Sequence, residues 1–82
     1  MSLEQTLKAL NDHPNDDVAN FAADAYELQD DLRQGKISKS EYQELLEDIK
    51  HRQAILLSAS DLETKGMLNE ALNGLLKLAS AL

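Results

Sequence analysis

Gly35-Lys-Ile-Ser-Lys-Ser-Glu-Tyr42 is a helix stop followed at once by a helix start. Glycine takes the left-handed backbone conformation that ends a helix without a Cβ clash. Ser38 and Glu41 have capping-box spacing, the hydroxyl reaching forward to one free N–H and the carboxylate reaching back to another. Ile37 and Tyr42 occupy the two positions of a hydrophobic staple. A connection this short folds two helices back on each other as an antiparallel hairpin. The stretch therefore predicts an all-α fold built on that hairpin.

Composition agrees. Leucine supplies 16 residues and alanine ten, against one valine and three isoleucines, so the apolar inventory favours helix over sheet. One proline and three glycines leave little room for long loops. Eighty-two residues make one domain near the lower size limit for folding without staples, and the absence of cysteine removes disulfides and thiolate metal sites. It also fits a reducing compartment.

Outward from the hairpin, the predicted helices span about 3–11, 16–34, 39–58 and 61–81 of a single helical domain. Ser2 with Gln5 opens the first, which shows Leu3, Leu7 and Leu10 on one face. Asn11-Asp-His-Pro-Asn15 is turn chemistry, and Asn15 or Asp16 caps the second helix. Val18, Phe21, Ala22, Ala25, Leu28 and Leu32 form its inward stripe. Tyr42, Leu45, Leu46, Ile49, Gln53 and Leu56 form that of the third, so Phe21, Leu28, Leu32, Leu45 and Ile49 are expected in a shared core.

Ser58-Ala-Ser60-Asp-Leu-Glu63 reads two ways: Ser60 and Glu63 have capping-box spacing that starts a fourth helix, yet nothing forbids one continuous third helix. Beyond it, Leu68, Leu72, Leu75, Leu76, Ala79 and Leu82 share a face that Ala71 and Leu78 widen, wider than a small hairpin covers. Gly66 and Gly74 lie in or beside it, each costing roughly 1 kcal/mol against alanine, a cost that a close backbone approach would justify. The face serves either the core or an interface. Adjacent Leu75 and Leu76 point about 100° apart, so one faces inward and the other a partner.

Candidate chemistry is sparse. Glu44, Glu47, Asp48 and His51 share a helical face, and Asp48-Ile-Lys-His51 has the carboxylate-x-x-histidine spacing of di-metal bundles. That face is not the apolar one, so Glu47–Lys50 and Asp48–Arg52 pairing in water is the reading taken. His13 precedes Pro14 and is expected to be an exposed loop residue. Asp12, Asp16 and Asp17 lack the calcium-loop pattern, and there is no phosphate loop, nucleophile elbow or Ser-x-x-Lys motif. No enzyme activity, cofactor or metal is expected.

Charge says more. The net charge is −7, and residues 1–34 carry −6 of it: Glu4, Asp12, Asp16, Asp17, Asp24, Glu27, Asp30 and Asp31 against Lys8 and Arg33. Lys36, Lys39, Lys50 and Arg52 are interleaved with acids and make no basic patch. Such a surface repels phosphate backbones and anionic lipids, so neither direct nucleic-acid binding nor membrane insertion is expected. The opening residues lack a signal-peptide pattern and no stretch suits a membrane span, which predicts a cytoplasmic protein. The expected partner is a protein with a basic or mixed-charge surface. It would be met by Asp16, Asp17, Asp24, Asp30 and Asp31, with Leu68, Leu72, Leu75 and Leu76 as the apolar contribution or as the seam of a homodimer.

From Leu28 through Arg33 and Gly35 to Leu46 the chain resembles many helical-hairpin modules. At full length, acidic and cysteine-free, it also resembles the small accessory proteins of T-even-type phages, in particular the cytoplasmic lysis-inhibition accessory protein, an antiholin. That resemblance implies binding to the cytoplasmic N-terminal segment of the holin and delayed pore formation, in the host cytoplasm. It also resembles the small acidic companion of a phage recombination helicase, which again implies protein contact. Neither resemblance carries a diagnostic motif, so no residue role is transferred.

Overall fold

Each helix begins where a side chain satisfies the free N–H groups of its first turn. In the computed structural model, which describes residues 2–81, these are α1 (Leu3–Asn11), α2 (Asp16–Arg33), α3 (Lys39–Ala59) and α4 (Leu62–Ser80). Ser2 and Gln5 complete a capping box on α1, as do Ser38 and Glu41 on α3, where both bonds are 3.1 Å. Asn15 Oδ1 accepts from the N–H groups of Asp17 and Val18, and Asp16 and Asp17 complement the positive end of α2. No strand occurs among the described residues, and the fold is all-α.

Gly35 has φ 73°, and the chain closes α2 as a Schellman motif: Lys36 N donates to Asp31 O at 2.9 Å and Gly35 N to Leu32 O at 3.2 Å. Ile37 is half-buried and packs on the core beside the capping box. Between α3 and α4 the chain breaks. The N-cap of α4 is Asp61, not the expected Ser60; its carboxylate accepts from Thr64 N at 2.8 Å. Ser60 instead ends α3, its hydroxyl turned back to donate to Leu56 O at 2.7 Å. A carboxylate is also the better complement to a helix dipole.

The four helices pack in a ring, α1 beside α2 and α4, and α3 beside α2 and α4. Leu3 lies against Gly74 and His13 against Thr64, so α1 and α4 run antiparallel. Tyr42 meets Leu75 and Gln53 meets Asn69, so α3 and α4 do too. The result is an up-down-up-down bundle. Its centre holds Leu7, Leu10, Phe21, Ala22, Tyr42, Leu68, Ala71 and Leu75, each almost completely out of water. Burying a side chain such as Phe21 or Leu68 contributes roughly 1.5–3 kcal/mol.

Leu45 is a correction. It is 49% exposed, because the buried stripe of α3 is Tyr42, Leu46, Ile49 and Gln53, a four-three-four register that leaves Leu45 on the margin toward α2. The glycines also differ from expectation. No backbone approaches either: open space surrounds Gly66, while a Cβ at Gly74 would come within 2.9 Å of the Leu3 side chain. Leu82, assigned to the last apolar face, lies outside the described residues.

Buried polar groups are paired, the Thr64 hydroxyl with the His13 ring and three more besides. The Tyr42 hydroxyl donates to Leu75 O at 2.6 Å, Gln53 Nε2 to Asn69 Oδ1 at 2.8 Å, and Thr6 Oγ1 to Ser2 O at 3.1 Å. Gln29 is the exception: fully buried in α2, its amide nitrogen and oxygen both lack a partner among the described residues.

Candidate functional site

Asp17, Asp24 and Asp31 recur at seven-residue spacing, which aligns them along one edge of α2. Across from them α3 presents Leu45, Asp48, Arg52 and Ile55 on its outer edge. The two edges border a groove running along the α2–α3 pair. Its upper part, about 260 Å³, is lined by Asp24, Glu27, Leu28, Asp31, Leu45, Asp48, Ile49 and Arg52. Its lower part, about 220 Å³, is lined by Asp17, Asn20, Arg52, Ile55 and Leu56. Arg52 belongs to both, and its Nη1 donates to Asp24 Oδ2 at 2.6 Å, a bridge across the groove.

Two features set this face apart. Leu45 and the 70%-exposed Ile55 flank the bridge, one in each part of the groove. Around them stand five carboxylates and one guanidinium, a local net of −4. A bare leucine or isoleucine alone is ordinary on a protein surface. A pair lining one groove amid a net negative charge has the character of an interface: apolar anchors within a steering field.

The residues expected to meet a partner separate into two groups. Asp16, Asp17 and Asp24 are exposed, and Asp31 is half-buried at the groove wall. Asp30 points elsewhere and accepts from Gln34 Nε2 at 2.8 Å. Leu68 and Leu75 are fully buried, a correction to their place among the partner-contacting leucines: the i, i+3, i+7 row of α4 through Leu68, Ala71 and Leu75 is its core side. Leu72 is half-buried and Leu76 is 39% exposed, on the other side of α3 from the acidic groove, near Lys39, Gln43 and Glu47. Leu75 is thus the inward member of the adjacent pair and Leu76 the outward one.

Glu44, Glu47, Asp48 and His51 stay on the wet face, with Lys50 Nζ 3.2 Å from Glu47 Oε1. Arg52 pairs with Asp24 rather than Asp48, because its position beside α2 brings the cross-helix carboxylate within reach. His13 is half-buried rather than loop-exposed: Nδ1 accepts from Asn15 N at 3.0 Å, and Nε2 lies 3.1 Å from Thr64 Oγ1. That imidazole ties the α1–α2 turn to the start of α4. Hydrogen bonds from Thr64 hold the Asp61 carboxyl below its usual range, with a smaller contribution from His13. Burial pushes the Tyr42 phenol up to about 12. Among the described residues no three His, Asp or Glu side chains converge to hold a metal, and no helix is long and apolar enough to cross a membrane.

Compared with known protein families, curated proteins and solved structures, the chain matches none. The site therefore stands on its own geometry. Leu45, Ile55, the partly exposed Tyr26 and the 87%-exposed Leu62 at the start of α4 escaped the sequence reading as surface residues. The seven-residue repeat of Asp17, Asp24 and Asp31 was the signal available, since it marks which edge of α2 faces water.

Proposed function

We propose that this protein works without catalysis, as a helical interaction module that binds a partner of basic or mixed-charge surface through its α2–α3 face. The observation that carries the reading is the pair of exposed apolar residues, Leu45 and Ile55, set among five carboxylates in one groove. Acids steer a basic partner during encounter, and apolar anchors slow its departure. The resemblance to phage cytoplasmic antiholins supplies a concrete candidate for that partner, the cytoplasmic N-terminal segment of a holin.

Self-association is the second part of the proposal. Leu76, with half-buried Leu72 one turn before it, offers α4 a small apolar edge away from the acidic groove, where two copies can meet with less repulsion. Affinity capture from the native cell, comparing the wild type with an Asp17→Asn, Asp24→Asn, Asp31→Asn variant, tests the main reading. A partner retained by the wild type and lost by the variant is expected. Identical captured sets from both proteins would overturn it.

A further inference from the structure

We propose that the α2–α3 groove is a helix-docking site whose occupant is a basic amphipathic helix of another polypeptide, carrying two apolar anchors three turns apart. The inference rests on the protein-contact reading above and specifies the segment that meets this face.

The walls decide the occupant's conformation. Both are helices, whose interior N–H and C=O groups are already bonded, and no strand edge exists among the described residues. An extended segment laid here would lose water from its own backbone and gain no partner in return. A helix brings its backbone already satisfied, and a third axis fits about 8–10 Å from each of two packed helices.

The groove also sets the spacing of the anchors. Leu45 and Ile55 are ten residues apart on α3, about 15 Å along its axis at the usual rise. Positions i and i+11 of a docked helix share a face and lie roughly 16 Å apart, so one anchor reaches each part of the groove. Between them the Arg52–Asp24 bridge crosses, and the occupant needs a small residue above it.

Charge decides between candidate occupants. Of the five groove carboxylates only Asp24 has a cation within salt-bridge distance among the described residues, leaving Asp17, Glu27, Asp31 and Asp48 to lysine or arginine from outside. A second copy of this chain carries −7 and an anionic membrane is likewise repelled, so the groove is matched to a different, basic chain.

The probe is an alanine-based helical peptide of about 18 residues, with leucines at i and i+11 and flanking lysines; its control replaces each lysine by glutamate. Titration into the full chain, followed by amide chemical shifts, should give saturable changes confined to the groove edges of α2 and α3. Leu45→Asp and Ile55→Asp should each weaken binding about tenfold or more, while Leu76→Asp leaves it unchanged. Circular dichroism verifies folding, and Leu45→Ala and Ile55→Ala replace any variant that unfolds. Shifts elsewhere, equal binding of the glutamate peptide, or indifference to both groove substitutions would overturn the proposal. The wider reading fails on a different result. A captured cellular partner lost with Leu76→Asp but kept by both groove variants would sink the groove alone, whereas a partner set indifferent to every surface variant would sink both.

Discussion

Tyr42→Phe removes one oxygen from the centre of the bundle and makes the strongest quantitative demand on the fold. The hydroxyl donates to Leu75 O at 2.6 Å with the ring fully buried. Leu75 lies inside α4, where its carbonyl also accepts the regular helical bond, so losing the phenol costs about 1 kcal/mol near neutral pH. Alkali reverses the order. The folded phenol is pushed up to about 12, above its ordinary value of 10.0, because burial disfavours the phenolate. A raised folded value means that the contribution is fully present below pH 10 and is lost as pH rises through about 12. At 1.36 kcal/mol per pH unit the full loss approaches about 3 kcal/mol, roughly half of it by about pH 11. Urea melts followed by circular dichroism should therefore show the wild type more stable at about pH 8 and the two proteins nearly equal at about pH 11. Any other effect of alkali is common to both proteins and cancels in the difference. A stability gap that stays constant from neutral pH into alkali would show that Tyr42 is not buried as described.

Gln29→Leu should raise stability by about 1 kcal/mol or more, since it replaces two unpartnered buried amide atoms with an apolar side chain of similar size; a destabilised variant would reveal a partner for Gln29. Gly66→Ala should stabilise α4 by up to about 1 kcal/mol, because nothing lies near the new methyl, while Gly35→Ala should destabilise by about as much, because its φ is 73°. Equal effects from the two glycines would contradict the Schellman turn. Ser38→Ala should cost about 1 kcal/mol through loss of the α3 cap, read from the same melts, and no change would mean that Glu41 alone secures that helix start.

Local signals made the fold legible. Gly35, Ser38 and Glu41 specify a stop and a start within a few residues, and Ser2, Gln5 and Asn15 do the same for α1 and α2; none depends on tertiary packing. Helix ends accordingly fall within about a residue of expectation. What stayed hidden depends on how one helix rolls against another. Leu45 and Leu46 are both leucines in an amphipathic helix, and only the rotation of α3 against α2 and α4 sends Leu46 inward and Leu45 to the groove. Leu75 and Leu76 pose the same problem on α4, where periodicity established that they diverge but not which one is buried. Arg52 likewise had a carboxylate available along its own helix at Asp48 and another across the groove at Asp24; the crossing of the helices chose the second. The candidate surface was thus half legible: its charge was written in the sequence, its apolar anchors were not.

Site-specific photo-cross-linking in the native cell tests the central claim most directly. A photoreactive residue replaces Ile55 in the acidic groove, Leu76 on the α4 edge, or Tyr26 on the opposite flank of α2. Contact through the groove predicts that the Ile55 position yields an adduct with a different, basic polypeptide, that this adduct weakens when Asp17 and Asp31 are neutralised, and that Leu76 yields at most a homodimer. No adduct from Ile55, together with a foreign partner trapped from Leu76 or Tyr26, would contradict it.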